Sequence, residues 1–134
     1  MAFSAFPNVD RNYSCANTEP AIFNRTETDT TNSYNTMAYQ FTCPISGTYM
    51  FSLSIRNDYN ITASVNVMVE SSTKIRVNCG ENDDDRQGSQ IQNQSSSSVV
   101  TTCNAGQRVW LDVLCYASNI RGVRVSMFSG FLIG

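Results

Sequence analysis

A chain of 134 residues with 41% hydrophobic and 15% charged residues is too apolar to be disordered and long enough to bury one core. The net charge of −2 gives no basic field to attract nucleic acid or anionic lipid. The chain has no histidine, so it lacks the usual general base of neutral-pH hydrolases and any imidazole metal ligand. These features predict a single domain over residues 1–134 that is not an enzyme and binds no nucleic acid.

Period-two alternation marks the strands along the chain, and no sustained helical stripe accompanies it. Tyr49–Ile55, Val65–Val69, Ile75–Val77 and Val109–Val113 each place an apolar residue at every second position, which indicates one face in a core and one near water. The last run, VSMFSGFLIG over residues 125–134, is apolar on both faces. We therefore expect its strand to be buried twice, once inside the domain and once against something else.

Turn residues separate these runs. Pro44–Gly47 and Asn104–Gly106 indicate tight connections, and Glu70–Thr73 indicates a polar hairpin tip. The polar stretch from Cys79 to Ser98 is typical of a long solvated loop or of two frayed strand ends. Many short strands with turns between them predict an all-β sandwich.

Hydropathy and sequence motifs bear on the cellular location. No apolar run approaches the roughly 20 residues of a membrane span, so we expect no membrane insertion. The start, MAFSAFPNVD, shows no secretory leader, which agrees with a mature secreted form or with a cytoplasmic protein. N-glycosylation sequons begin at Asn12, Asn24, Asn60 and Asn93, and they favour secretion.

Four phrases, in order, resemble the globular head of complement C1q and the tumour-necrosis-factor-like superfamily. They are AFSAF at Ala2–Phe6, FNRTETDTTNSYNTMAYQFTCPISGTYMFSLSI at Phe23–Ile55, AGQRVWLDV at Ala105–Val113 and FSGFLIG at Phe128–Gly134. The resemblance covers nearly the whole chain and implies a ten-stranded jelly-roll sandwich. It also implies a compact homotrimer with both chain ends at its base, in which Cys-Pro-Ile-Ser-Gly is a basal turn.

The trimer would explain why the final strand is apolar on both sides. An exposed apolar face of that size exceeds what a monomer usually tolerates, and a seam between three copies would cover it. The expected interface residues are Met127, Phe131 and Ile133. The alternative is a central strand that is simply well buried.

Five cysteines leave at least one thiol free or intermolecular. The resemblance puts Cys43 and Cys103 near the base and the other three towards the opposite, apical end. A Cys43–Cys103 disulfide is then geometrically allowed, whereas a bridge from base to apex is not. The alternative is that both are free, buried cysteines.

The resemblance also brings three loops to the apex, and recognition is often carried by loops on a rigid sandwich. Arginine guanidinium groups match carboxylates, tyrosines can stack on sugar rings, and asparagines can pair with hydroxyls. The candidate ligand-binding residues are Arg56, Asn57, Tyr59, Tyr116, Asn119, Arg121 and Arg124. The alternative is that the arginines only solubilise the loops or pair with nearby aspartates.

The acidic run at Asn82–Asp85 suggests a hard cation as the one cofactor to consider. Asp83 and Asp85 would supply carboxylate oxygens for a calcium ion, as in related heads that bind calcium at the apex. The spacing matches no dedicated calcium loop, so a solvated acidic turn is the alternative.

The preferred hypothesis is a secreted, carbohydrate-binding lectin of the C1q-domain type that acts in innate immune recognition. The resemblance to stand-alone invertebrate heads implies glycans or microbial surface ligands as partners, with sialic acid or acetylated sugars as candidates. The alternative is a protein-binding ligand, either cytokine-like or an organiser of the extracellular matrix.

Overall fold

The computed structural model describes residues 1–13, 18–57, 63–79, 93–114, 118–120 and 126–134. These residues contain strands and turns and no helix. The strands are β1 (Ala2–Phe6), β2 (Arg11–Tyr13), β3 (Thr18–Pro20), β4 (Arg25–Asp29), β5 (Tyr34–Asn35), β6 (Gln40–Thr42), β7 (Gly47–Asn57), β8 (Ala63–Val69), β9 (Ser72–Cys79), β10 (Asn93–Cys103), β11 (Arg108–Leu114), β12 (Ser118–Ile120) and β13 (Met127–Leu132).

Eleven of these strands form two packed antiparallel sheets. Sheet 1 has the order β10-β7-β13-β1-β4, and sheet 2 has the order β5-β6-β11-β8-β9. The short strand β3 is the sixth strand of sheet 2, beside β11, and β2 pairs with β12 as a separate two-stranded ribbon. The predicted all-β jelly-roll sandwich is confirmed.

Aromatic rings from both sheets form the centre of the core. Tyr49 and Phe51 of β7 are fully buried, as the alternation predicts. Phe3 of β1 stacks on Phe41 of β6 with ring centroids 4.3 Å apart, which joins sheet 1 to sheet 2. Phe128 of β13 meets Phe3 edge-on at 5.1 Å. Aromatic pairs in these geometries contribute beyond their buried area.

The strand registers define two ends of the sandwich. The apical end contains the end of β7 at Asn57 opposite the start of β10 at Asn93, and the start of β8 at Ala63 opposite the end of β9 at Cys79. The basal end contains the opposite ends of the same strands. Both chain termini lie there, because Leu132 N–H donates to Met1 O and Thr48 N–H donates to Gly134 O.

The disulfide lies at the basal end. Cys43 follows β6 of sheet 2 and Cys103 ends β10 of sheet 1, and the structure joins their sulfurs with Cα atoms 6.4 Å apart. Both cysteines are fully buried. This is the pair that the family resemblance implies, and it ties the two sheets together.

The structure decides between two alternatives and corrects one boundary. Residues 93–98 belong to β10 and pair with β7, so the alternative of strand ends, and not that of a solvated loop, holds for them. Arg56 and Asn57, which the family resemblance places in an apical loop, belong to the end of β7. In both places the side chains are polar and show no apolar alternation, although the backbone is paired with a neighbouring strand.

Candidate functional site: the apical end

Strand ends from both sheets converge at the apical end. β7, β9 and β11 end there, and β8, β10 and β13 begin there, as their pairing registers require. The ribbon of β2 and β12 lies at the same end, since β12 comes between the apical end of β11 and the apical start of β13. The described ends of these strands are therefore grouped at one end of the sandwich.

The structure describes part of the predicted ligand-binding set. Arg56 and the backbones of Asn57 and Asn119 are at the apical end, on β7 and β12. The remaining predicted residues lie outside the described residues, and they are Tyr59, Tyr116, Arg121 and Arg124. Their role in binding stays a prediction.

Arg56 is the best-defined predicted residue. Its backbone N–H donates to the hydroxyl of buried Ser126, at 3.0 Å, which fixes the end of β7 to the residue before β13. Its side-chain Nε is buried and has no hydrogen-bond acceptor among the described residues. A buried N–H donor without an acceptor costs free energy, so the Arg56 guanidinium is incompletely satisfied by the part of the chain that the structure describes.

Sequence reasoning missed a second arginine at this end, Arg11 of β2. Its Nη2 donates to Asn8 Oδ1 at 3.3 Å, while its Nε is buried and meets no acceptor within the described part of the chain. Asn8 is held in turn, because its backbone N–H donates to Asn24 Oδ1 at 3.1 Å. No apolar alternation marks so short a strand, and only its pairing with β12 shows that Arg11 is apical.

The predicted calcium ligands Asp83 and Asp85 lie outside the described residues. Within the part of the chain that the structure describes, no group of three or more acidic, cysteine or histidine side chains is placed to hold a metal ion. Calcium binding therefore stays a prediction about the segment between β9 and β10.

The outward face of sheet 1 has an apolar band near its basal end. The registers align Ala2, Phe131, Met50 and Val100 across four adjacent strands. Phe131 is 45% exposed, Val100 57% and Ile133 52%. Two of these, Phe131 and Ile133, are predicted interface residues, and the third predicted one, Met127, is half-buried on the same face of β13.

A row of serines crosses the middle of this face. Ser4, Ser129, Ser52 and Ser98 are in register on β1, β13, β7 and β10. The face thus changes from apolar at the base to hydroxylic at mid-height, and then to Arg56 and Gln94 at the apical end. Gln94 Nε2 donates to Ser54 Oγ at 3.1 Å.

A model of the C1q domain family matches residues 2–133. The chain belongs to the C1q domain family. A comparison with curated proteins gave no match.

Solved structures agree with the C1q fold. This C1q domain is similar to the globular domain of zebrafish complement 1qA protein, with a TM-score of 0.76 and 18% identity over 99% of this chain and 97% of that one. Murine APRIL at pH 5.0 matches with a TM-score of 0.72 and 11% identity over 98% of each chain. Eiger TNF from S. frugiperda matches with a TM-score of 0.65 and 12% identity over 97% of this chain and 94% of that one. At these identities the matches concern the fold alone.

Family membership gives the broad class of function. C1q and TNF-like domains are binding or signalling modules, and members of the family form trimers and bind ligands. C1q-domain proteins are typically secreted. Among the described residues, no helix of this C1q domain is long and apolar enough to cross a membrane.

Proposed function

We propose that this C1q domain is a secreted lectin that recognises acidic or acetylated sugars on microbial surfaces through its apical end. The observation that carries the proposal is the placement of Arg11 and Arg56 at the apical end, each with a buried Nε that has no acceptor among the described residues. A guanidinium that is incompletely satisfied in this way suits a carboxylate or acyl oxygen of a sugar, because hydrogen bonds to charged groups are the stronger ones. Arg121 and Arg124 extend the same cationic surface in this proposal.

We also propose that the lectin is a homotrimer. The apolar band of sheet 1 supports this, because Phe131, Val100 and Ile133 leave an exposed apolar surface on the single chain. Each such side chain, when fully buried, contributes roughly 1.5–3 kcal/mol. A trimer holds three apical sites in one particle, and linked weak sites gain apparent affinity on a multivalent surface.

Glycan-array binding tests the sugar class directly. The wild-type domain should bind sialylated or N-acetylated glycans, and free sialic acid or N-acetylated sugars should compete. The variants Arg56→Ala, Arg11→Ala and the double variant Arg121→Ala/Arg124→Ala should each lose signal. Lys74→Ala is the matched control, since it removes a cation from β9 near the basal end. Binding that survives the double variant would overturn the site assignment.

A blank array from a correctly assembled trimer would contradict the lectin proposal. That result would favour the protein-binding alternative, in which a receptor contacts the grooves between subunits and free sugars have no effect. Binding to cell-surface proteins after removal of their glycans would distinguish the two.

We further propose that the acidic segment holds calcium through Asp83 and Asp85. Carboxylate oxygens suit this hard cation, and threefold symmetry would concentrate the charge. Calcium should raise the melting temperature relative to EDTA, and Asp83→Asn/Asp85→Asn should abolish the increase. A melting temperature that does not respond to calcium would contradict this assignment.

A further inference from the structure

Sheet 2 has a notch on its outward face beside the middle of β11. On one side of β11, β6 pairs with the basal half, and Trp110 is opposite Gln40. On the same side β3 pairs with the apical half, and Asp112 is opposite Pro20. The end of β3 and the start of β6 therefore meet beside β11. A pocket of about 250 Å³ opens at this junction, lined by Pro20, Ala38, Gln40, Arg108 and Trp110.

Trp110 forms a fixed platform in this notch. Its neighbours Val109 and Leu111 point into the core, so the indole lies on the outward face, where it is half-buried. The indole Nε1–H donates to Asp112 Oδ1 at 2.9 Å. This bond satisfies the polar atom of the ring and orients it, which leaves the ring face as apolar surface.

The charges around the notch leave a net negative charge. Arg108 Nε is 3.6 Å from Glu70 Oε2, and the backbone N–H of Arg108 donates to the same oxygen at 2.6 Å. Glu70 therefore compensates the guanidinium, and Asp112 adds a further negative charge next to the indole. An anionic ligand would gain little here, in contrast to the apical end.

We propose that this notch binds one neutral pyranose ring. The apolar face of the sugar lies on Trp110 between Pro20 and Ala38, and its hydroxyls pair with the Gln40 amide and with Arg108. A volume of about 250 Å³ is below the ~300–1,000 Å³ typical of drug-sized ligand sites, so it suits a single ring. The site is separate from the apical one and differs from it in ligand charge.

The notch stays accessible in the proposed trimer. It lies on sheet 2, whereas the apolar band that the trimer would cover lies on the opposite layer, sheet 1. Each subunit would therefore present an acidic-sugar site at its apex and a neutral-sugar site on its flank.

Trp110 is the only tryptophan in the chain, so its fluorescence reports directly on the notch. Titration of the wild-type domain with methyl galactoside, methyl glucoside and methyl mannoside should change the emission saturably for at least one of them, in the millimolar range. Gln40→Ala should weaken this response roughly tenfold, the loss expected for an unmade hydrogen bond to a sugar. Gln94→Ala is the matched control, since that amide is on sheet 1, and it should leave the response unchanged.

Emission that stays constant with all three neutral sugars, or that responds to sialic acid alone, would overturn the proposal. Calorimetric titration of Trp110→Ala, checked for an unchanged melting temperature, gives a second readout and should show no neutral-sugar binding. The double variant Arg121→Ala/Arg124→Ala should retain the full tryptophan response while losing its array signal for sialylated and N-acetylated glycans. Failure of the apical lectin and failure of the notch are thereby distinguished.

Discussion

Ser52 of β7 and Ser98 of β10 face each other across sheet 1, with their hydroxyl oxygens 2.8 Å apart. The pair belongs to the serine row that borders the apolar band, so it marks where the exposed face changes from apolar to polar. If three copies meet on this face, the serine row marks the edge of the apolar part of their interface.

Replacing both serines tests that limit. Ser52→Val/Ser98→Val extends the apolar band by one register step and adds residues that favour strands. In a trimer the new methyl groups are buried, so sedimentation velocity should show the same trimer persisting to lower protein concentration. Polydisperse aggregates in place of a sharper trimer would contradict the proposal that this face is a defined seam.

The basal disulfide should contribute strongly to stability. It closes a loop of sequence separation 60, for which the chain-entropy model gives roughly 4 kcal/mol. Cys43→Ala/Cys103→Ala should therefore lower the denaturant midpoint markedly. Because both sulfurs are buried, the native protein should resist reductants until it is partly unfolded. Peptide mapping under non-reducing conditions that finds either cysteine unpaired or paired elsewhere would contradict this connectivity.

Gly130 of β13 should tolerate no side chain. A Cβ there would be 2.6 Å from a Phe51 ring carbon and 2.7 Å from one of Phe3. Gly130→Ala should cost about 1–3 kcal/mol of folding free energy through overpacking. Gly106→Ala makes a useful comparison, because its Cβ meets nothing within 4 Å and its φ is +89°. There, backbone strain of about 1 kcal/mol is the expected cost. Urea melts in which both variants lose equally little folding free energy would contradict the close packing around Gly130.

Alkaline pH should destabilise the fold. Burial raises the pKa of Tyr13, Tyr34 and Tyr49 above the ordinary value of 10.0. The folded state therefore keeps these protons where the unfolded state releases them. Their contribution is fully present below about pH 10 and is lost as the pH rises towards the folded-state pKa values. Urea melts between pH 8 and 11.5 measure this.

Tyr34→Phe separates the alkaline effect from ordinary packing. The variant loses the bond from the Tyr34 hydroxyl to Phe23 O, which is 2.7 Å long, so it should be less stable at pH 8. Its stability should then fall less steeply above pH 10 than that of the wild type. Tyr39→Phe, at a half-exposed tyrosine, is the matched control. If the free energy of unfolding falls equally steeply with pH in the wild type and in Tyr34→Phe, the assignment of the alkaline effect to Tyr34 is contradicted.

The sandwich was predictable because a strand with one buried and one solvent-exposed face shows apolar and polar residues in alternation. The residues predicted to face the core on β7, β8 and β11 do so; Phe51, Val67 and Leu111, for example, are buried. The prediction left residues 93–98 undecided between a loop and strand ends, because serines stand at the register positions opposite the inward residues Leu53 and Ile55, and the pairing with β7 holds the strand.

The sites were harder to predict because they depend on distant parts of the chain. Arg11 becomes apical only through the pairing of β2 with β12, more than 100 residues later. The Trp110 notch needs Pro20 and Gln40 to meet beside β11, although they are 20 positions apart in sequence. No local pattern contains that information.

The apolar band carries the account's central claim, that three copies of this C1q domain meet on sheet 1. Sedimentation equilibrium of wild type, Phe131→Glu and Met37→Glu tests the claim most directly. Met37 is 85% exposed but lies outside the band, between β5 and β6. Wild type and Met37→Glu should both give three times the chain mass of 14.9 kDa. Phe131→Glu should give the single-chain mass, because the seam would bury an unpaired charge. A wild-type protein that remains a single chain at micromolar concentration would contradict the claim.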